Sequence, residues 1–206
     1  MMHATIKKVL SDSGSNEEAI YLIIHDWGSF LGMLYQNKYH QSVKKVVALD
    51  VGLGLTKNIR EIGVLLFYQL WFAIAYVISQ AINYQLGNLF FKLFLFLPFI
   101  KYISPTPHDT LHRPISEISV HLCYPYYHLW KGLLFDKVRL RPPRFPSCPV
   151  LYLYGLKKNA MFHSSGFIDR LAATEGCKSL ALEAGHWVTH FQPEIVVKEV
   201  KEFFSH

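Results

Sequence analysis

The chain has 206 residues, of which 51% are hydrophobic and 17% are charged, so it can build one sizeable core and is not a disordered chain. Its formal net charge is +6, but the Lys and Arg residues are scattered along the sequence. Without clustered basic and aromatic side chains, nucleic acid is not an expected partner. Three widely spaced cysteines, Cys123, Cys148 and Cys177, argue against a disulfide framework or a zinc site and indicate a reducing compartment.

The first predicted elements form a strand, a tight turn and a helix. Residues 4–12 have helical apolar spacing and are followed by a polar linker. Residues 19–24 are a continuous apolar run of strand length, which is typical of a strand buried on both faces of a parallel sheet. The tetrad His25-Asp26-Trp27-Gly28 ends this run, and residues 29–39 again have helical spacing. This pattern places Asp26 in the turn between the strand and the helix.

The strand and helix alternation is interrupted once. A second apolar run, 45–50, ends on Asp50, at the edge where open α/β sheets place their chemistry. Residues 51–141 then form long aromatic-rich helical segments, which predict an inserted helical cap. After the proline-rich connector 142–149, strands are predicted at 150–154 and 179–182, and helices at 165–174 and 193–204. The predicted core therefore consists of residues 1–50 and 142–206.

A side chain on a turn between strand and helix stands exposed above the sheet, beside N–H groups that can stabilise an oxyanion. Asp26 has this position, and the alternative is that its carboxylate caps the helix. Gly185-His186-Trp187 lies between the last predicted strand and helix, where the general base of such a fold is found. A structural histidine beside Trp187 is the alternative there. The order of these residues favours Asp26 as nucleophile and His186 as base.

With these residues the chain resembles the epoxide hydrolase and haloalkane dehalogenase branch of the α/β-hydrolases, in which an aspartate in an H-D-W-G turn replaces the usual serine. The G-H-W run followed by Gln192-Pro193 and an amphipathic last helix is similar to the end of those enzymes. The resemblance covers nearly the whole chain and implies an α/β-hydrolase fold with a mostly parallel sheet and a helical cap. It also implies an alkyl ester on Asp26, hydrolysed by water that His186 activates, with no metal or cofactor.

The resemblance further implies an acid that orients the histidine. Epoxide hydrolases usually carry it in a G-x-x-D pattern after the strand at 150–154, but here Lys158 stands at the position of the aspartate. Lysine cannot accept the N–H of a histidine. Haloalkane dehalogenases often place the acid after the strand that follows the nucleophile helix, and Asp50 matches that place. The alternative is that Asp50 caps the first element of the helical cap.

Substrate-binding residues are also implied by the resemblance. Tyr68, in the segment 67–72, resembles one epoxide-polarising tyrosine, and Tyr127 resembles the second, since a phenol can donate a proton as the ring opens. Packing aromatics are the alternative for both. Trp27 would offer its backbone N–H to an oxyanion and its indole N–H to a halide. The expected substrate is a small apolar epoxide or halide, and the tyrosines favour the epoxide.

Two features depart from the family pattern. No His-Gly-x-Pro run precedes Asp26, so the N-terminal strands and one oxyanion donor are expected to be missing. Two alternatives follow: the chain is an N-terminally truncated hydrolase of weak or absent activity, or it is a full-length non-catalytic relative, such as a membrane-associated or partner-binding scaffold. In addition, Ile24 stands two residues before Asp26, where a small residue usually relieves crowding, whereas Gly28 retains the small residue two positions after it.

One segment is apolar enough to suggest a membrane. No residue between Glu61 and Lys92 is formally charged. Five amides interrupt this segment: Gln69, Gln80, Asn83, Gln85 and Asn88. Because membrane spans seldom contain so many amides, the pattern favours a buried or membrane-surface helical cap over a span. The expected location is the cytoplasm, with membrane association as an alternative; the oligomeric state is not indicated.

Overall fold

The computed structural model describes residues 2–14, 19–97, 115–135, 142–158 and 160–205. The chain divides into two compact units. The sheet unit comprises Met1–Leu55, Pro142–Leu156 and Phe162–His206. The helical unit comprises Thr56–Arg141 and Lys157–Met161.

The sheet unit is built on parallel strands. These are β1 (Ile20–His25), β2 (Val43–Leu49), β3 (Val150–Gly155) and β4 (Lys178–Leu182). They form a four-stranded sheet in the order β1-β2-β3-β4, and each neighbouring pair is parallel. The predicted α/β class with a parallel sheet is therefore confirmed.

The helices among the described residues follow the predicted alternation closely. In chain order they are α1 (Met2–Asp12), α2 (Trp27–Lys38), α3 (Ile59–Ala81), α4 (Tyr84–Leu93), α5 (Tyr124–Leu134), α6 (Ser165–Ala172), α7 (Val188–Phe191) and α8 (Pro193–Ser205). Short 3-10 turns occur at His40–Ser42, Phe94–Phe96, Ile115–Glu117 and Val120–Cys123. Helices α3, α4 and α5 belong to the helical unit, and the others belong to the sheet unit.

The two central strands, β2 and β3, are buried on both faces, which explains their continuous apolar runs. The expectation that the run at 19–24 is buried on both faces is wrong, because β1 stands at the end of the strand order and its Tyr21 and Ile23 are 46% and 57% exposed. Along β2, Val46 and Ala48 pack into one core cluster with Met33 of α2. The alternate residues Val47 and Leu49 pack into a second cluster on the opposite face. Because successive side chains of a strand point to opposite faces, a strand covered on both sides needs apolar residues at every position.

The crowding expected at Ile24 is relieved by a glycine elsewhere. A Cβ built on Gly32, in α2, would lie 2.6 Å from Cγ2 of Ile24. The missing side chain of Gly32 therefore makes the room that a small residue at position 24 would have left. Gly28 has no comparable role, because a Cβ there meets no atom within 4 Å. In this chain the small residue that makes room at the turn is therefore Gly32 in α2, and not the residue at position 24 of the strand.

The helical unit has its own core. Helix α3 packs against α4, where the Trp71 ring stacks on Phe90 at a centroid distance of 4.4 Å. Ala75, Phe91 and Val120 are buried in this core. Among the described residues, α3 is the helix that is long and apolar enough to cross a membrane by length and composition, with a mean hydropathy of 1.9.

Replacing Gly32 with alanine should lower the free energy of unfolding by about 1–3 kcal/mol, because the new Cβ must displace Ile24. In an unobstructed helix interior, replacing glycine with alanine raises the free energy of unfolding by about 1 kcal/mol. The sign of the measured change therefore shows whether the new Cβ collides with Ile24. In an Ile24→Ala background, Gly32→Ala should be neutral or stabilising. Denaturant unfolding of the four proteins of this double-mutant cycle measures the coupling.

Gly166 in α6 provides the matched control, because a Cβ there meets no atom within 4 Å. Gly166→Ala should leave the free energy of unfolding unchanged or raise it. Equal losses of stability from Gly32→Ala in the two Ile24 backgrounds would contradict the steric exchange between strand and helix.

Candidate active site

Asp26 stands on the turn between β1 and α2 with an open carboxylate. Its backbone has φ 52° and ψ −126°, a conformation that costs a non-glycine residue about 1–3 kcal/mol. Its side chain is 44% exposed and accepts no capping hydrogen bond from α2. The alternative in which Asp26 is a capping carboxylate is therefore wrong. The turn holds this carboxylate outward at the start of a helix, where the helix dipole favours negative charge.

Asp50 has the opposite environment, since it is fully buried. It follows β2 with a positive φ of 62°, and its N–H donates to the carbonyl oxygen of Leu153 at 2.7 Å. Its Oδ1 accepts the N–H of Gly155 at 2.9 Å. The side chain of Asn58 caps helix α3, so the alternative in which Asp50 caps the first element after β2 is wrong.

His186 lies between these two carboxylates. Its Nδ1 is 2.6 Å from Oδ2 of Asp50, a short hydrogen bond in which the imidazole donates. Its Nε2 is 3.9 Å from Oδ1 of Asp26, which is contact distance for an ion pair but too long for a hydrogen bond. The three residues that were singled out from widely separated parts of the sequence therefore meet at the carboxyl edge of the sheet.

The two carboxylates control the protonation of His186. Burial by itself lowers the pKa of the imidazole, but its interactions with Asp26 and Asp50 outweigh burial and raise the pKa to about 9. His186 is consequently a cation at neutral pH, and the negative charges of Asp26 and Asp50 stabilise this protonated form. An imidazole in this state can act as a base only after one of the neighbouring negative charges has been removed.

His25, which the sequence offered only as part of the tetrad, supports the histidine loop. Its Nε2 donates to the backbone carbonyl oxygen of His186 at 3.1 Å. Burial and the neighbouring charge of His186 lower the pKa of His25, so it remains neutral and keeps this geometry. Its ring also lies 5.0 Å from the ring of Trp187. The sequence signal was the histidine directly before Asp26, at the same end of β1.

Gly155 is a second residue whose role the sequence did not reveal. A Cβ at this position would lie 2.1 Å from the carbonyl oxygen of Gly185, next to His186. Only a glycine lets the end of β3 approach the histidine loop this closely while its N–H binds Asp50. The available signal was the glycine that ends the apolar run at 150–154.

A buried tyrosine fixes the backbone of Asp50. The hydroxyl of Tyr152, on β3, donates to the carbonyl oxygen of Asp50 at 3.0 Å. Nδ1 of His163 lies 2.9 Å from the same hydroxyl oxygen. Because the hydroxyl already donates to Asp50, it accepts the hydrogen bond from the Nδ1–H group of His163. Burial raises the pKa of Tyr152, so the phenol stays protonated and keeps donating. This network holds Asp50 in its unusual backbone conformation.

The remaining predicted binding residues have these environments. Trp27 is the first residue of α2, and its ring lies edge-on to Phe30. Tyr68 is in α3 and contacts the rings of Phe72 and Tyr126. Tyr127 is in α5, with its ring 5.1 Å from that of Tyr76. Both tyrosines thus take part in aromatic packing within the helical unit, and their roles toward a substrate stay predictions.

Among the residues that the structure describes, no group of three or more His, Cys, Asp or Glu side chains could hold a metal ion. The Asp26, His186 and Asp50 arrangement contains one nitrogen base and two carboxylates of very different exposure. Such a set can supply an open nucleophile, a proton carrier and a buried counter-charge.

Comparison with known proteins gives a short sequence match and broad structural matches. No family model matches the chain. A stretch of 45 residues is 40% identical to the cis-3-alkyl-4-alkyloxetan-2-one decarboxylase of Shewanella oneidensis. This stretch covers 22% of the chain and 14% of that relative, so the matched part is a small piece of the whole enzyme.

Solved structures match nearly the whole chain. An epoxide hydrolase from Bacillus megaterium in complex with an inhibitor has a TM-score of 0.61 and 20% identity, over 98% of this chain and 74% of that chain. A marine microorganism esterase has a TM-score of 0.52 and 18% identity, over 96% and 74%. An α/β hydrolase from a Medee basin deep-sea metagenome library has a TM-score of 0.58 and 15% identity, over 98% and 70%. The chain therefore has the α/β-hydrolase fold, as the sequence predicted.

The raised pKa of His186 predicts a pH-dependent stability. Because the folded-state pKa of about 9 exceeds the ordinary 6.5, the imidazolium stabilises the fold. This contribution is complete below pH 6.5 and is lost as the pH rises through about 9, amounting to at most about 3 kcal/mol. Asp50→Asn should flatten that decline and lower the pKa of His186, as measured by denaturant unfolding and by NMR titration of the imidazole.

Asp26→Asn removes the second charge without disturbing a buried group, and it should also lower the pKa of His186. His121→Gln is the matched control, because His121 is exposed and belongs to the helical unit. A wild-type His186 that titrates near 6.5, or a pKa that neither Asp variant changes, would contradict the electrostatic coupling.

Proposed function

We propose that the chain is a hydrolase that acts through a covalent ester on Asp26 and that its substrates are small apolar epoxides. The main support is the position of the His186 imidazole. It lies between the exposed carboxylate of Asp26, on a strained turn, and the fully buried carboxylate of Asp50. This arrangement supplies a nucleophile open to substrate and a base with a fixed orientation. The similarity to epoxide hydrolase structures supports the same reaction class.

In the first step, a carboxylate oxygen of Asp26 attacks a ring carbon of the epoxide. A bond forms between that oxygen and the carbon, the ring C–O bond breaks, and the epoxide oxygen takes a proton to become a hydroxyl. In the family that the sequence resembles, tyrosines of the cap donate this proton. By that resemblance, Tyr68 and Tyr127 are our candidates, and Tyr→Phe variants test them one at a time.

Formation of the ester changes the state of His186. The ester of Asp26 is neutral, so one of the two carboxylates that raise the pKa of His186 no longer does so. The pKa then falls, and the imidazole can lose its proton to solvent and become a base. Asp50 keeps its charge and stabilises the imidazolium each time it forms. The order of the two steps thus follows from the charges of the site.

In the second step, neutral His186 takes a proton from a water molecule, and the resulting hydroxide attacks the carbonyl carbon of the Asp26 ester. The N-terminal end of α2, which begins at Trp27, stabilises the developing oxyanion. The C–O bond between the acyl carbon and the alkyl oxygen breaks, and the leaving alkoxide takes the proton that the attacking hydroxide carried. The diol leaves, and the carboxylate of Asp26 is restored. One water is consumed for each epoxide opened.

Alkyl halides are the second candidate substrate class, because the partner of His186 is Asp50. Its place after β2 is the one that the resemblance to haloalkane dehalogenases implied, rather than the later place that is usual in epoxide hydrolases. With a halide the same attack by Asp26 would expel the halide ion, and hydrolysis would yield an alcohol.

The decisive kinetic test uses an aromatic epoxide that reports diol formation. We expect wild-type turnover, and a loss of at least about 100-fold in kcat for Asp26→Asn and His186→Gln, because each removes a reacting group. Asp50→Asn should lower kcat and shift the pH profile, since it leaves the imidazole without its counter-charge. Steady-state kinetics from pH 5 to 10 measure these effects.

Asp169→Asn is the control for loss of a carboxylate, because Asp169 is exposed on α6, and its kcat should equal that of the wild type. Halide release from a haloalkane without turnover of the epoxide would select the dehalogenase reaction. Equal activity of wild type and Asp26→Asn, or no turnover of either substrate class, would overturn the proposed function.

A further inference from the structure

Helix α3 presents an apolar side that is exposed among the residues that the structure describes. Four aliphatic residues at helical spacing, Leu66, Leu70, Ile74 and Val77, are 40–49% exposed. Only 22% of the most apolar window of the helix is buried. A helix that is apolar on most of its surface belongs in a protein core or against lipid, and α3 has a core on one side only.

Helix α4, which packs against α3, also has an exposed apolar side. Its aliphatic residues Leu86, Leu89 and Leu93 are 46–56% exposed and are also spaced along one side of a helix. The opposite side of the α3 and α4 pair faces the core of the helical unit, where Phe91 and Ala75 are buried. We call these seven aliphatic side chains of α3 and α4 the aliphatic face.

The composition of the aliphatic face matches lipid better than a protein partner. Protein interfaces are enriched in aromatic residues and arginine and are ringed by polar groups. The seven residues that define the face are leucine, isoleucine and valine, with one exposed aromatic, Phe67 (40%), beside them on α3, and no formally charged residue occurs between Glu61 and Lys92. Burial in acyl chains would remove these seven aliphatic side chains from the solvent.

The charges at the borders of this segment are those that an anionic bilayer would attract. Lys57 and Arg60 are exposed at the start of α3, and Lys92 lies near the end of α4. The nearby acid, Glu61, offsets one of these three positive charges, and its Oε2 accepts the N–H of Met161 while its Oε1 accepts from Asn58. The border remains positive. Positive borders around an apolar face are typical of helices that lie in a membrane interface.

From these observations we infer that the aliphatic face lies on the surface of a lipid bilayer, with its side chains at the boundary between headgroups and acyl chains. Surface binding fits better than a span, because one side of α3 is engaged by its own unit. Moreover, the ten residues of α4 extend only about 15 Å and cannot cross a bilayer. This inference does not depend on the proposed enzymatic activity.

Vesicle flotation tests the inference with the full chain. The wild type should float with phosphatidylcholine vesicles, and more completely when phosphatidylserine is added. Leu70→Glu combined with Ile74→Glu should reduce the bound fraction by at least about tenfold, because two charges replace buried apolar side chains. Circular dichroism checks that the variant is folded.

The matched control is Ile195→Glu combined with Val197→Glu on α8, where the two residues have the same exposures, 40% and 50%, as Leu70 and Ile74, 40% and 49%. This control should float like the wild type. Absence of flotation by the wild type, equal loss in both double variants, or resistance of the bound chain to carbonate extraction would each overturn the inference. A dimer that forms in the wild type and in the control variant, but not in the Leu70 and Ile74 double variant, would also overturn the inference. A second copy of the chain would then cover the aliphatic face.

Discussion

The hydrogen-bonded ion pair between His186 and Asp50 is the interaction on which the candidate site depends. A carboxylate that is fully buried is costly unless it is paired, and Asp50 is paired at 2.6 Å with an imidazole. Its other oxygen binds the N–H of Gly155. One side chain thereby ties together the ends of two strands and the histidine loop, and it sets the position from which His186 reaches toward Asp26.

The sequence predicted the strands of the sheet well because a continuous apolar run of strand length can be recognised without knowing its partner, although burial on both faces holds for β2 and β3 and not for β1. The run at 19–24 became Ile20–His25, and the run at 150–154 became Val150–Gly155. The sequence could not predict how the turn tolerates Ile24, because the space comes from Gly32 on a different element. Periodicity shows which residues are buried, but not which pairs of them meet.

The order of residues in the sequence indicated Asp26, His186 and Asp50 but left helix capping as an alternative for each aspartate. The hydrogen bonds at the starts of α2 and α3 exclude both alternatives, because neither aspartate side chain caps these helices. His25 and Gly155 were missed because they act through backbone groups of the histidine loop, which is 161 residues from His25 along the chain. Aromatic residues such as Tyr68 are the hardest to interpret, since packing and catalysis require the same side chain.

A covalent ester on Asp26 is detectable by mass spectrometry of the His186→Gln variant. Without the base, the ester should form but not hydrolyse, so incubation with an epoxide should increase the protein mass by the mass of one epoxide. Peptide mapping should place this increase on Asp26, and Asp26→Asn in the same background should abolish it. An unchanged mass, or an adduct that persists in the Asp26→Asn protein, would contradict the account.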